Sequence, residues 1–469
     1  MTKTPAILCL DIEDPITTRS HYAAEWICQQ VSEAGLTASC FLVAEKVRAW
    51  EQLGISSVIE AVGAHDLTFH SSRHSFHPTI TEMSEALPAQ AGAELLWAWQ
   101  QPGWEATKRI MGAPVNHWGL GGESWSPALS VMLGQHGHAL MYSPIYGDDP
   151  YRPCWFAGSL NFHDYLAGLD VAYHDDEKFA NALSEHQQQA EERLAAGAPY
   201  LGLFGGHLTR VVHHDFWDIV NFNEGRITTP EQWQAPPAIS PTEEDIARKN
   251  LWRYLEWVAG DDRFEVIGFS QLVRMFSRQA SGCPRGKLLE ICQRISDEQA
   301  VVFTDQFSAA EILGMMVECA LDPDRQMLTR RSFLGPQYLP TQQSVSNMTT
   351  DEIILAATTV DAHLRAAGNL PEQVNCPSGS LYIADYFVAL AQALLAREGQ
   401  GGTVLKPRPE APYPAIGDSL AQQAADCIRA WIIHRPDLDL SWIQRDTRLL
   451  SWTFKPAWTL EELSRLQAE

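Results

Sequence analysis

The sequence has little basic charge, no long apolar run and no paired cysteines, and each shortage excludes something. Thirty-four Lys and Arg stand against 58 Asp and Glu, a formal charge of −24. Such a field repels phosphate backbones and anionic lipid headgroups, so neither nucleic acid nor a membrane surface is an expected partner. No window approaches the roughly 18 apolar residues of a bilayer span. The opening MTKTPAILCLDIEDP lacks the charged, apolar and small-residue regions of a secretory signal. Nine cysteines lie scattered from Cys9 to Cys427 with no C-x-x-C pair. They read as reduced, mostly buried thiols and not as a disulfide framework or a Cys-ligated zinc site. The cytoplasm is the expected compartment.

A 45% hydrophobic content and sixteen Trp exclude a disordered chain, and 469 residues are enough for two or three folding units. The distribution of histidine is uneven. Fourteen of the sixteen lie in the first 214 residues, which points to chemistry in the N-terminal half.

Residues 1–280 alternate short apolar runs with helix-like stretches, the pattern of a mainly parallel α/β unit. Strands are expected at 6–10, 38–43, 67–69, 115–118, 139–142, 200–204 and 264–267. Helices are expected at 18–34, 58–62, 93–110 (broken at Pro102-Gly103) and 177–196. Six or seven βα units in this order suit a barrel better than an open sheet. Residues 277–287 have a linker's composition, and beyond them, over 288–469, helical periodicity dominates. Capping boxes are expected at Ser308/Glu311 and Thr349/Glu352. This second, helical unit reads as a glycan-binding or oligomerisation module, and a homo-oligomer stays open.

Three segments carry the chemistry. Leu10–Pro15 ends the first strand with Asp11, Glu13 and Asp14, on the edge where barrels of βα units form their sites. Residues 64–78 hold His70 and His74, four apart, so that one helical turn would turn both imidazoles to one ion. Residues 200–210 end a late strand at Gly205-Gly206-His207. The remaining histidines read as surface or satisfied core residues. Glu123, Trp118, Trp125 and Trp155 are candidates for stacking on a sugar ring, although core packing explains the tryptophans as well.

The order of these segments resembles the polysaccharide deacetylases (carbohydrate esterase family 4), which fold as a distorted (β/α)₇ barrel. The matching motifs are Asp11-Ile12-Glu13-Asp14, His70-Ser71-Ser72-Arg73-His74 and Leu203-Phe204-Gly205-Gly206-His207, within residues 5–275. The resemblance implies Asp11 as general base, His207 as general acid, and Asp14, His70 and His74 as ligands of one divalent metal; the acids are spaced differently from the family's adjacent Asp-Asp pair, so Glu13 could replace Asp14. Zinc comes first, with cobalt, nickel or manganese as alternatives. One departure stands out: where the family carries an R-x-P motif whose Arg orients the base, this chain has Met111-Gly112-Ala113-Pro114. In the second unit, residues 351–395 resemble the pseudomurein-binding repeat, with Gly368-Asn369-Leu370-Pro371 as its turn.

Three functions compete. The leading one is a metal-dependent hydrolase removing an acetyl group from a carbohydrate-like substrate. The others are a non-catalytic glycan-binding protein on the same barrel, suggested by the missing Arg, and an amidohydrolase of a small non-sugar amide. Metal content separates the second from the rest.

Overall fold

The computed structural model describes residues 3–166, 168–339, 348–399, 404–405, 412–459 and 462. The N-terminal strands are β1 (Thr4–Ile12), β2 (Ala38–Leu42), β3 (Asp66–Phe69), β4 (Trp118–Gly119), β5 (Leu140–Met141), β6 (Cys154–Phe156), β7 (Ser159–Phe162), β8 (Leu201–His207) and β9 (Phe264–Val266). β1 is buried on both faces from Pro5 to Ile12, as a parallel strand covered on both sides must be.

The parallel order runs β7-β5-β4-β3-β2-β1-β8. Just past β7, Leu166 bridges in parallel to Leu203 of β8, with Leu166 N–H donating to the Gly202 carbonyl at 2.7 Å and Phe204 N–H to the Leu166 carbonyl at 3.1 Å. That bridge closes a ring of seven staves, a distorted (β/α)₇ barrel. β9 pairs with β1 at Thr4–Ala6, below the β2 contact.

Three expected local features differ. The linker expected at 277–287 instead holds the strand Gly282–Pro284, paired antiparallel with Met327–Thr329, and the start of the helix Arg285–Glu298. The helix Ala89–Met111 runs unbroken through Pro102, because a proline removes one hydrogen bond while the flanking turns remain packed on the barrel. The strand expected at 115–118 is reduced to Trp118–Gly119. Both expected capping boxes form, at Ser308/Glu311 and Thr349/Glu352.

A second apolar core gathers residues from Cys283 to Leu395, with Trp452. The chain then returns to the barrel. Ile416, Leu420, Ala424 and Ile428 of the helix Ile416–Ala430 belong to the barrel's core, and the strand Lys455–Pro456 pairs antiparallel with β6. Lys455, itself buried, is neutralised by both oxygens of Glu311 at 2.9 and 2.7 Å. No helix among the described residues is long and apolar enough to cross a membrane.

Candidate metal centre

The mouth of the barrel is assembled by register. β1 and β8 run in step as far as Cys9 beside Phe204; then one residue of β8 is skipped, so that Leu10 lies beside Gly206 and Asp11 beside His207. Without that bulge His207 would sit beside Ile12. A bulge of one residue re-aims every following side chain, and here it delivers His207 to Asp11. Gly206, at φ +116°, adopts a conformation open to glycine, and a Cβ there would run into Asp170 Cβ.

Strand alternation also decides between the two neighbouring carboxylates. Asp11 and Glu13, two apart, face the same side. Glu13 Oε2 lies 3.0 Å from His74 Nε2 and 4.0 Å from His70 Nε2. Asp14, expected as the ligand, is turned away from the histidines and back onto its own chain. Its Oδ1 accepts from Ile16 N–H at 2.8 Å and Thr17 N–H at 3.2 Å, and its Oδ2 from the hydroxyls of Thr17 at 2.6 Å and Thr209 at 3.1 Å. Asp14 thus builds the turn into the helix Thr18–Glu33, and of the two carboxylates it is Glu13 that lies with the histidines.

His70 and His74 are brought together by a turn and not by a helix. Ser71 (φ +74°) and His74 (φ +52°) are left-handed, and Ser71 Oγ accepts from His74 N–H at 2.7 Å. Each imidazole is fixed through Nδ1. His70 Nδ1 meets the Gly119 carbonyl at 3.1 Å. His74 Nδ1 meets Ser75 Oγ at 2.7 Å, and Ser75 in turn donates to Asp218 at 3.1 Å. With each Nδ1 tied outward, both Nε2 atoms face Glu13, the arrangement of metal-ligating histidines with outer-shell partners.

One nitrogen or oxygen from each of Glu13, His70 and His74 lies within 4.8 Å of the others, as is also true of Asp11, Glu13 and His207. Atoms 2.0–2.1 Å from one tetrahedral ion would be about 3.3 Å apart, so the donor set fits a divalent metal. Trp217 Nε1–H steadies Glu13 by donating to Oε1 at 3.1 Å. Burial would raise Glu13, but His74, His207 and His70 outweigh it and hold the carboxyl down at about 2. Burial lowers His70 to about 3, whereas Glu13 outweighs burial at His74 and raises it.

Asp11 stands beside this group, its Oδ2 at 3.5 Å from His207 Nε2 and 3.9 Å from His70 Nε2. The Tyr142 hydroxyl donates to Asp11 Oδ1 at 3.3 Å. Burial pushes Asp11 up to about 7, against the charge of His207. Asp170 holds His207 Nδ1 at 2.6 Å. Burial would lower His207, but Glu13, Asp170 and Asp11 together raise it to about 10.

These residues line a cavity of about 210 Å³, walled by Tyr165, Phe204, Phe216, Glu123 and, from beyond the second core, Trp431. Trp431 Nε1–H donates to Asp218 at 2.8 Å. Of the stacking candidates, Trp118 and Trp125 are fully buried core residues. Trp155 is half-buried in β6, and Glu123 reaches the cavity. Glu13 was legible as one of two alternatives. Tyr142, Asp170, Trp217, Asp218 and Trp431 were not foreseen; the G-x-D stretch Gly168–Asp170, in an aromatic loop rich in polar residues, was the one local cue.

No family model matches the sequence, and no curated protein does. Solved structures do match. The chain is similar to polysaccharide deacetylases over 58% of its length. One, a chain assigned as a polysaccharide deacetylase from Mycobacterium smegmatis, has 13% identity and a TM-score of 0.38, covering 58% of this chain and 90% of that one. Another, from Pseudomonas aeruginosa PAO1, has 11% identity and a TM-score of 0.37 over 58% and 89%. An allantoinase has 11% identity and a TM-score of 0.36 over the same shares. The resemblance of residues 351–395 to the pseudomurein-binding repeat finds no support. That segment is a helix, a β-hairpin and a helix packed into the second core.

Proposed function

We propose that the chain is a metal-dependent hydrolase that removes an acetyl group from nitrogen on a carbohydrate-like substrate. One observation carries this reading: Glu13, His70 and His74 converge at the barrel mouth with Asp11 on one flank and the His207–Asp170 pair beside it. Glu13, His70 and His74 would hold the ion, with zinc the first choice for two imidazoles and a carboxylate, and cobalt, nickel or manganese as alternatives. Such an ion supplies Lewis-acid activation of water and of the substrate carbonyl.

The chain's own residues do the proton work. Asp11, held by the Tyr142 hydroxyl, accepts the proton of the attacking water at a carboxylate oxygen. His207 carries its proton at Nε2, with Nδ1 anchored by Asp170, and delivers it to the departing amine. The aromatic walls and the lack of any Lys or Arg in the lining among the described residues suit a neutral, ring-shaped substrate. The small volume of the cavity favours a second reading, hydrolysis of a small non-sugar amide.

The test is metal analysis paired with acetate release. The native protein is expected to hold one divalent ion per chain and to release acetate from N-acetylglucosamine oligomers. His70→Ala should lose both properties, and Asp11→Asn should keep the metal and lose the activity. A native protein that takes up no metal would overturn the proposal.

A further inference from the structure

Trp431 reaches the candidate centre from the C-terminal part of the chain. It follows directly on the helix Ile416–Ala430, and its ring forms part of the wall of the cavity that holds Glu13, His70 and His74. Its indole N–H is spent on the buried carboxylate of Asp218, 213 residues earlier.

That carboxylate is the hub of a relay ending on a proposed metal ligand. Asp218 Oδ1 accepts from Ile219 N–H at 2.8 Å. Its Oδ2 accepts from Trp431 Nε1–H at 2.8 Å and from the Ser75 hydroxyl at 3.1 Å. Indole and peptide N–H groups can only donate, so Asp218 is held as an acceptor from two sides. A hydroxyl has one proton. With that proton given to Asp218, Ser75 Oγ meets His74 Nδ1, 2.7 Å away, as an acceptor. The other ring nitrogen of His74 faces Glu13 Oε2 at 3.0 Å.

The ring of Trp431 has a second contact. It packs edge-on to Phe216 with centroids 5.2 Å apart, and Phe216 packs edge-on to His207 at 4.8 Å. One side chain thus braces His74 by hydrogen bonds and backs His207 by packing.

The segment that carries Trp431 is anchored on two sides, which fixes where the indole points. On one side, Glu224 N–H donates to the Ile432 carbonyl at 2.7 Å, and Ile433 is buried with Trp217 and Phe222. On the other, Arg435 donates to Glu82 Oε1 at 3.1 Å and to Glu85 Oε2 at 2.9 Å. Glu82 in turn holds His77, at the end of the histidine segment, at 2.7 Å.

We propose that Trp431 is a positioning residue of the metal centre, acting on His74 through Asp218 and Ser75. The ligands drawn from the barrel then reach full affinity only with the C-terminal segment in place. The proposal rests on the metal-binding reading above and is independent of which amide is cleaved.

The experiment measures zinc affinity of the metal-stripped full chain by chelator competition, and the visible absorption of the cobalt-loaded chain. Trp431→Phe keeps an aromatic ring against Phe216 and removes the N–H. It is expected to weaken zinc binding about 10- to 100-fold, the usual range for an outer-shell change. It should also shift the cobalt bands, while the thermal midpoint of the metal-free protein stays close to native. Ser75→Ala breaks the same relay at its other end and should have the same effect. Because both act through one path, the double variant should lose no more than about threefold beyond the worse single variant. Native zinc affinity in Trp431→Phe, or losses that multiply in the double variant, overturns the proposal and leaves the hydrolase reading standing. Where Trp431→Phe does not fold, native affinity in Ser75→Ala overturns it equally. Weakened zinc binding in both variants of a chain that releases no acetate supports the proposal and overturns the acetyl reading. A native chain that takes up neither zinc nor cobalt overturns both.

Discussion

Tyr142 touches Asp11 through one hydroxyl, and removing that hydroxyl tests orientation apart from acidity. Tyr142→Phe keeps the ring and its packing on Phe41 at 5.1 Å. It also places no new demand on a residue already at φ +63°. The loss of one hydrogen bond to a charged group, worth about 1.5–3 kcal/mol, should lower kcat on the order of 10- to 100-fold with metal content unchanged. A variant as active as the native chain would show that Tyr142 does not position the base. Trp217→Phe addresses the ligand shell instead. It removes the indole N–H from Glu13 Oε1, and metal affinity measured by chelator competition should fall about 10- to 100-fold, the usual cost of an outer-shell change. Legibility at this scale followed chain locality. Asp11, His70, His74 and His207 sit at strand ends, where a motif can be read. That Glu13 and not Asp14 faces the histidines follows from the strand's two-residue alternation, which was present in the sequence. Tyr142 and Trp217 reach the site from 131 and 204 residues away, and no local pattern encodes such a contact.

At the scale of elements, the loop carrying His70 and His74 is clamped to the helix Ala89–Met111. Ser72 N–H donates to Gln100 Oε1 at 2.8 Å and the Ser72 hydroxyl to the Gln100 carbonyl at 3.3 Å. Gly103 lies directly against Ser72, and a Cβ there would overlap its Oγ and come within 3.1 Å of Ala44 Cβ. In a free helix Gly→Ala gains about 0.5–1 kcal/mol, whereas overpacking a closed interface costs about 1–3 kcal/mol; the overlap should prevail. Gly103→Ala is therefore expected to lower the thermal midpoint and, because Ser72 stands between the two histidines, to weaken metal binding. Unchanged affinity measured by isothermal titration would separate the helix from the site. The sequence marked Pro102-Gly103 as a break because both residues are poor helix formers. In the fold Pro102 is tolerated on the exposed side of the helix, and Gly103 is needed for the close approach of the histidine loop. The barrel itself was largely legible, since parallel strands buried on both faces read as continuous apolar runs. The two-residue strands were less so, because a neighbour's register defines them more than their own residues do.

For the whole molecule, the uneven distribution of histidine has a consequence beyond the site. Several histidines outside the candidate centre are buried (His21, His434) or half-buried (His117, His138) and held neutral. Burial, with Lys46 beside it, lowers His21 to about 3; burial lowers His117 to about 4, with Arg274 adding to it; and burial lowers His138 and His434 to about 4. In the unfolded chain each would titrate near 6.5. As pH falls through 6.5 the unfolded state takes up these protons first, so it binds more protons than the folded state and stability falls with pH. The stability is fully present above about 6.5 and is lost progressively toward about 4, at about 1.4 kcal/mol per pH unit for each such histidine in its window. Urea unfolding at pH 7, 6, 5 and 4.5 should thus show midpoints that decline steeply in the acid range. Carboxylates contribute to any acid unfolding, so the attribution needs a variant. His434→Gln replaces a buried, 8% exposed imidazole with a group that cannot charge, and the slope between pH 6.5 and 4 should become shallower by about one proton. A slope identical to that of the native chain would place the acid sensitivity in the carboxylates and remove His434 from the account.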